Sequence, residues 1–382
     1  MPVLSALHTS RRPVLGFVAM GLVFGSFAAF LPVLKARIGA DDALFGLLLL
    51  GSPIGLALTL WLAPAFDRRL AAFSMPAAAI ATALSMVATG FAVTPAAFFA
   101  AMVLVGVCAG TLDIVSNARV SELEAHHRAP LMNANHAMFS VAYAASAVAT
   151  GAAREAGMSP AAVFTAIALL ILAATLRMRM APAATSEAGP RPVGLPGGAV
   201  ALCGGIVLVA FFVEAVVESW SALHVERTLQ GGAAEGAFGP AILGLTMAAG
   251  RFAGQVAAGR LSDLSIISGG SVMACVGAML AAVAPAPWVA YLGFGLMGLG
   301  MSVVGPMALA LVGRIVPPSR RTAAVARVNV IGFGAFLLAP VLMGQLSDAY
   351  GLRVAFAVVG GTALVAPLLA FLLRSRWAPG PA

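Results

Sequence analysis

The sequence predicts an all-α membrane protein with twelve transmembrane helices in two six-helix bundles. Of its 382 residues, 61% are hydrophobic and only 9% are charged, whereas soluble domains carry about a quarter charged residues. The apolar residues form long runs separated by short polar breaks, and each run has roughly the 20 residues that a helix needs to cross a bilayer. One segment rich in Pro, Gly, Ala and Ser interrupts this pattern near the middle of the chain.

The spans follow from the apolar runs and from the charged, Pro or Gly residues that separate them. The first run follows Arg11 and Arg12, but it is longer than the apolar part of a signal peptide, so we expect it to be retained. The Pro/Gly-rich segment is typical of a linker. This linker, residues 179–198, separates an N-terminal bundle, residues 1–178, from a C-terminal bundle, residues 199–382. The predicted spans are 13–34, 43–66, 72–93, 95–118, 131–153, 159–178, 199–221, 238–259, 267–284, 287–313, 322–346 and 352–373.

The Lys and Arg residues predict the orientation, because they accumulate on the cytoplasmic side of membrane proteins. Of the 22 Lys and Arg residues, Arg251 lies well within a span, and sixteen lie at or near the span ends on the side of the N-terminus. The other side holds only five: Lys35, Arg37, Arg154, Arg227 and Arg353. We therefore expect both termini and the linker to be cytoplasmic.

The two halves resemble each other at a nearly constant offset. Phe45, Gly46 and Gly51 recur 193 residues later as Phe238, Gly239 and Gly244. Asn135 and Phe139 recur 194 residues later as Asn329 and Phe333, and Gly151 and Glu155 are matched by Gly344 and Asp348. A parallel repeat of six spans is typical of transporters whose substrate site lies near the bilayer midplane.

Several classes of function are excluded by what the sequence lacks. It contains no Walker loop, no HExxH pair and no nucleophile-elbow serine, so an ATP-driven pump and a membrane hydrolase are not supported. Cys108, Cys203 and Cys275 lie far apart in apolar runs, which indicates neither a disulfide nor a metal site. The net charge of +8 is spread between apolar runs, so we expect no nucleic-acid partner. No cofactor is expected.

At two loops the sequence resembles the major facilitator superfamily, whose signature loop follows spans 2 and 8. After span 8 the chain has Gly259-Arg260-Leu261-Ser262-Asp263 without the basic tail of that signature. After span 2, Asp67, Arg68 and Arg69 match the signature, although Ala63 stands where the family has glycine. The resemblance covers essentially the full chain. It implies the twelve-helix fold and a monomer.

Three further segments are similar to the bacterial carriers that include the rhizopine-cluster membrane protein. They are Gly110-Thr111-Leu112-Asp113 with Asn117, Pro130-Leu131-Met132 with His136-Ala137-Met138-Phe139-Ser140, and Glu214 with Glu218-Ser219-Trp220-Ser221. The third segment departs from that branch, where an aspartate directly precedes the tryptophan. The branch implies a multi-pass protein of the bacterial inner membrane and a small polar substrate.

Glu214 and Glu218 are the candidate proton-coupling residues. They lie four residues apart in span 7, on one helix face, and Glu214 is about 22 Å from the start of that span. Two carboxylates in a poorly hydrated site repel each other when both are ionised, so one of them is suited to carry a proton. Glu218 also fits an interfacial acid, and Glu214 fits a buried acid hydrogen-bonded to a neighbouring helix.

The remaining candidates for the substrate cavity or a gate are also polar groups in apolar runs. Asp113 and Arg251 fall at similar depths in opposite halves, so they fit either an ion pair that closes the inner gate or two locally bound charges. His136 titrates near neutral pH in water and fits either a proton relay or a helix contact. The full set is Asp113, Asn117, Asn135, His136, Trp220 and Arg251.

Together these features predict a secondary transporter that moves a small solute by alternating access, driven by protons. The branch resemblance favours a polyol or an amino sugar as the substrate. An exporter of hydrophobic drugs and a non-transporting receptor or scaffold fit the same fold, and the divergent loop after span 2 agrees with the latter. A membrane-embedded enzyme is a further alternative without a supporting motif, so we expect no enzyme activity.

Overall fold

A computed structural model of the chain describes residues 3–182, 196–257, 262–317 and 320–377. Within these ranges the chain forms helices and short connections and contains no β-strand. Gly259 of the predicted signature loop and most of the predicted linker 179–198 lie outside the described residues.

The described helices follow the order of the predicted spans. Their bounds are α1 Val3–Thr9, α2 Pro13–Arg37, α3 Asp42–Leu49, α4 Gly51–Leu70, α5 Ser74–Phe91, α6 Pro95–His127, α7 Met132–Glu155, α8 Pro160–Thr175, α9 Gly197–Leu223, α10 Ala233–Ala257, α11 Asp263–Val283, α12 Pro287–Ile315, α13 Arg321–Ala363 and α14 Val365–Trp377. A 3₁₀ turn, Ala71–Phe73, follows α4, and a π-helical turn, His224–Thr228, follows α9.

Among the described residues, seven helical stretches are long and apolar enough to cross a membrane. Two of them, Asp42–Phe91 and Ala323–Arg376, contain 50 and 54 residues. A single crossing needs about 20 residues, so each of these two has the length of two crossings. The fold is therefore that of an all-α, multi-pass membrane protein.

Local chemistry sets where several helices begin. Thr94 accepts a hydrogen bond from the backbone N–H of Ala97 at 3.3 Å, and Ser159 accepts one from Ala162 at 3.3 Å. A proline follows each of these residues at the first helical position, where its missing N–H costs no hydrogen bond. These caps place the starts of α6 and α8 within one residue of the predicted starts of spans 4 and 6.

The helix bounds depart furthest from the predicted spans in two places. Span 4 was expected to end at residue 118, but α6 continues to His127 and stops at Arg128, which has a left-handed φ of 50°. The added turns are polar, because hydropathy predicts the membrane crossing and not the full helix. Predicted spans 11 and 12 are joined in α13 across Gly351, which has φ 81° and ψ 162°.

We expect Gly351→Ala to lower stability by about 1–3 kcal/mol, because only glycine adopts this backbone conformation without strain. Thermal unfolding of the detergent-purified protein measures the effect. Gly361→Ala is the matched control in the same helix, because its added Cβ would meet no atom within 4 Å and alanine favours helix by about 0.5–1 kcal/mol. An equal loss of stability in both variants would show that the positive φ at Gly351 is not the cause of the loss.

The chain divides into two compact units. Unit 1 comprises Met1–Glu187 with Gly232–Ala241, and unit 2 comprises Ala188–Gly231 with Ile242–Ala382. In unit 1, α2 packs mainly against α7, and α4 packs against α6. In unit 2, α9 packs mainly against α13, and α11 packs against α12. The first and fifth predicted spans of each half thus pack together, as the sequence repeat would lead one to expect.

Candidate functional site

The accessible side chains of α9 recur at helical spacing. Leu208, Phe211, Glu214 and Glu218 are half-buried, whereas the residues between them are buried. Side chains three or four positions apart lie on one side of a helix, so these four form a single stripe. The stripe is apolar in its first part and acidic in its second.

Glu214 has a basic partner in the same unit. A guanidinium nitrogen of Arg251, in α10, lies 3.8 Å from Glu214 Oε1, and these side chains are 38% and 21% exposed. Glu218 interacts electrostatically with both of them. Charged groups in an apolar span avoid lipid and face protein or water. Two carboxylates therefore share one cation. The sequence predicted the pair of carboxylates but not their shared partner, Arg251.

Phe211, one helical turn before Glu214 on α9, packs against two phenylalanine rings of α13. The ring centroid of Phe211 is 5.8 Å from that of Phe333 and 5.7 Å from that of Phe336, and the two α13 rings are 6.1 Å apart. These separations are typical of interacting aromatic pairs. Neither Phe211 nor Phe336 stands out in the sequence; the one available signal is the repeat match between Phe139 and Phe333.

In unit 1 the structure brings together three of the predicted residues. Asn117 donates from Nδ2 to Asp113 Oδ1 at 2.8 Å, and its Oδ1 lies 3.3 Å from His136 Nε2. The Phe17 ring packs edge-on against the imidazole, with centroids 4.8 Å apart. Asp113, Asn117 and His136 therefore form one hydrogen-bonded chain from α6 to α7 when Nε2 of His136 carries the proton.

Asp113 and Arg251 are each bound within their own units. Asp113 accepts from Asn117 one turn away, and Arg251 pairs with Glu214. Of the two interpretations in the sequence analysis, these contacts match locally bound charges. The ion pair proposed for a gate stays a prediction.

Two candidate cavity residues are fully buried within the units. Asn135 is 0% exposed and donates to Ser10 Oγ at 2.9 Å, which connects α7 to the residue after α1. Trp220 is also 0% exposed, near the end of α9, where His224 Nε2 lies 2.9 Å from the carbonyl oxygen of Ala281. Neither side chain faces an open space in this conformation, so the contacts indicate packing roles.

The signature-loop acids Asp67 and Asp263 form ion pairs that were not predicted from the sequence. Asp67 Oδ1 accepts from Arg119 Nη2 at 2.5 Å, and Glu122 accepts from the same guanidinium at 3.1 Å. In unit 2, Asp263 pairs with Arg314. The two acids are 196 residues apart and the two arginines 195, so the repeat offset was the signal that could have found both pairs.

Arg68 and Arg69, the other predicted signature residues, are exposed at the end of α4. In the described part of the chain, no group of three His, Cys, Asp or Glu residues could hold a metal ion. Cys108, Cys203 and Cys275 are free thiols. The described polar groups can form ion pairs, hydrogen-bond a solute and exchange protons.

Helices of membrane-crossing length that carry an ion pair and a hydrogen-bonded polar chain within apolar runs define an integral, multi-pass membrane protein. A family model, described as the Major Facilitator Superfamily, matches residues 241–382. An uncharacterised MFS-type transporter of Yersinia pestis is 28% identical over 353 residues, or 90% of each chain. The membrane protein MosC of Rhizobium meliloti is 25% identical over 94% of this chain and 89% of its own.

Solved structures share the fold. A bacterial homologue of the human lysosomal transporter Spinster, in an inward-facing and occupied conformation, has a TM-score of 0.79 at 17% identity and covers 99% of this chain and 98% of its own. A D-xylose–proton symporter has a TM-score of 0.73 at 16% identity, with the same coverage. The chain is therefore similar, over nearly its full length, to transporters of the major facilitator superfamily, and these findings confirm both the resemblance and the expectation that it is not an enzyme.

Proposed function

We propose that the chain is a proton-coupled secondary transporter that moves a small polar metabolite, a polyol or an amino sugar, by alternating access. The observation that carries this proposal is the group formed by Glu214, Glu218 and Arg251 within apolar helices of unit 2. A charge is costly at membrane depth, so a buried ionisable group marks an ion or substrate pathway by default.

The proton step follows from the arrangement of these charges. With Glu214 ionised, Arg251 is attracted to it across 3.8 Å. Protonation of Glu214 removes that attraction and frees the guanidinium to donate hydrogen bonds to a solute oxygen. Glu218 is a second carboxylate within electrostatic reach of the same cation, so the proton has two positions to occupy. Proton binding and substrate binding are thereby linked through Arg251.

The substrate class follows from the mixture of groups. Phe211, one turn from Glu214, packs with Phe333 and Phe336 into an apolar surface, and polar groups next to apolar walls fix the orientation of a small ligand. Acidic side chains accept hydrogen bonds from hydroxyl or ammonium groups. The fold shared with a D-xylose–proton symporter supports a sugar-like solute moved with protons.

A stability screen followed by a flux assay tests this function. Hexitols, inositols and amino sugars should raise the unfolding temperature of the purified protein, because a ligand that binds the native state stabilises it. The compounds that do so should then enter proteoliposomes when an inward proton gradient is imposed. A shift only with lipophilic drugs would favour a drug exporter. Binding without flux would favour a receptor, and either result would overturn the proposal.

We also propose that the chain crosses the bacterial inner membrane twelve times as a monomer, in halves 1–178 and 199–382, with a cytoplasmic linker at 179–198 and cytoplasmic termini. The 50- and 54-residue apolar stretches support paired crossings. The matching Asp67–Arg119 and Asp263–Arg314 pairs support two related halves.

Single cysteines test the orientation. In a background with the three native cysteines replaced by alanine, Met158→Cys should react with a membrane-impermeant maleimide in whole cells, because this exposed residue precedes α8 on the predicted outer side. His127→Cys, exposed at the end of α6, should react only after the cells are opened. Reversed labelling would contradict the predicted orientation.

A further inference from the structure

Unit 1 contains an apolar crevice of about 450 Å³ near the C-terminal end of α4. Helices α4 and α5 each pack against α6 but scarcely touch one another, so a gap remains between them above α6. The lining includes Leu62, Phe66 and Leu70 from α4, Ala78 and Ala81 from α5, and Cys108 from α6. A cavity lined in this way offers water few hydrogen-bonding partners and suits a hydrocarbon chain.

The crevice is bordered by side chains that the fold leaves exposed. Leu62 is 51% exposed, Leu84 of α5 is 59% exposed and Leu104 of α6 is 48% exposed. In a membrane protein, exposed apolar side chains of spanning helices contact acyl chains. A lipid chain therefore lies within reach of the crevice without leaving the bilayer.

One end of the crevice is basic. Arg69 lines it and is exposed, and Arg68 beside it is exposed as well. The neighbouring acid, Asp67, is held by Arg119 at 2.5 Å, so its charge is already compensated. The guanidinium of Arg179 lies 4.6 Å from the centroid of the Phe73 ring, just after α4. Basic pockets between spanning helices on the cytoplasmic side bind anionic lipid headgroups.

We propose that this crevice binds an anionic phospholipid of the inner leaflet, with an acyl chain between α4 and α5 and the phosphate at Arg69. The charge of Arg69 distinguishes this occupant from a zwitterionic lipid, and the shape of the crevice distinguishes it from a soluble phosphate. The choice of leaflet rests on the proposed orientation; the binding itself does not depend on orientation or on transport.

Native mass spectrometry tests the proposal on the full chain in detergent, titrated with phosphatidylglycerol and with phosphatidylcholine of the same acyl chains. We expect one molecule of phosphatidylglycerol to bind more tightly than phosphatidylcholine does. Arg69→Gln should weaken that binding about fivefold, because one arginine near a headgroup contributes about this factor, and it should leave phosphatidylcholine unaffected. Ala81→Leu should weaken the binding of both lipids by filling the crevice.

Two matched variants control for general effects. Arg374→Gln removes an exposed arginine at the predicted cytoplasmic end of unit 2, and Ala88→Leu enlarges an exposed residue two turns further along α5; both should bind lipid as the parent does. Equal binding of the two lipids, or unchanged binding by Arg69→Gln and Ala81→Leu, would overturn the proposal.

A second measurement uses the unaltered chain, so it does not depend on whether the variants fold. Cys108 lines the crevice, whereas Cys275 is a half-buried thiol in unit 2. Phosphatidylglycerol should slow the reaction of Cys108 with a lipophilic maleimide and leave Cys275 unchanged, as read by peptide mass spectrometry. Equal rates at Cys108 with and without the lipid would show that the crevice is not its binding site.

Discussion

Glu214→Gln is expected to abolish uphill transport while leaving downhill exchange of the substrate in place. Glutamine keeps the size and polarity of the side chain but cannot take up or release a proton. A potential of 100 mV is worth about 2.3 kcal/mol for each proton, so one coupled proton sustains about 50-fold accumulation. The variant should hold the internal concentration at about the external one.

Proteoliposomes with an imposed potential measure this difference, with the polyol or amino sugar found by the stability screen as the substrate. A trapped pH-sensitive dye should report proton entry on substrate addition with the parent and none with the variant. The exposed Glu235, whose Oε2 accepts from the N–H of Gly232 at 2.7 Å, provides the control: Glu235→Gln should accumulate substrate normally.

Accumulation by Glu214→Gln at the parent level would contradict the proposed role of Glu214. Glu218→Gln then separates two cases, because Glu218 interacts with the same cation. If only the double variant loses coupling, the two carboxylates substitute for each other. If the double variant still accumulates substrate, the proton is carried outside this group.

Arg119→Met should destabilise the protein by about 3–5 kcal/mol, the cost of breaking a buried ion pair by removing one partner. Arg119 is only 1% exposed, and it donates to Asp67 at 2.5 Å, to Glu122 at 3.1 Å and to the carbonyl oxygen of Met180 at 3.3 Å. Without it, the carboxylates of Asp67 and Glu122 lose the guanidinium that they share. Because folded proteins are stable by about 5–15 kcal/mol in total, yield and unfolding temperature should both fall clearly.

The related pair in unit 2 provides the matched control for Arg119→Met. Arg314 pairs with Asp263 but is 53% exposed, and exposed ion pairs contribute about 0–1 kcal/mol. Arg314→Met should therefore unfold near the temperature of the parent. Adding Asp67→Asn and Glu122→Gln to Arg119→Met should recover part of the loss by removing the two negative charges that had paired with Arg119. Similar losses of stability in both arginine variants would show that burial of the ion pair does not set the free-energy cost of breaking it.

The helices could be predicted well from the sequence because the information is local. An apolar run of sufficient length favours a membrane-crossing helix wherever it stands, and caps such as Thr94 and Ser159 act on backbone groups within three residues. Helix length was less predictable. The extension of α6 to His127 is polar, and hydropathy reports only the part that suits the bilayer.

The candidate site was predicted in part. Asp113, Asn117 and His136 are joined in the structure, and all three stand out in the sequence because polar groups are rare in apolar runs. Phe211 and Phe336 did not stand out, because phenylalanine is ordinary in a membrane helix. Phe211 becomes relevant because it lies one turn from Glu214, and Phe336 because it packs against Phe211.

The sequence by itself determined that this is an all-α membrane protein with related halves and a few charged groups in apolar spans, because hydropathy and repeat offsets are properties of the chain alone. Only the tertiary structure decided which groups meet. Arg251 pairs with Glu214 on another helix, Arg119 is buried while Arg314 is exposed, and Asn135 and Trp220 are fully buried. The physical reason is that the packing of one helix on another sets both the distance between charges and their access to water, and neither is encoded in spacing along a single helix.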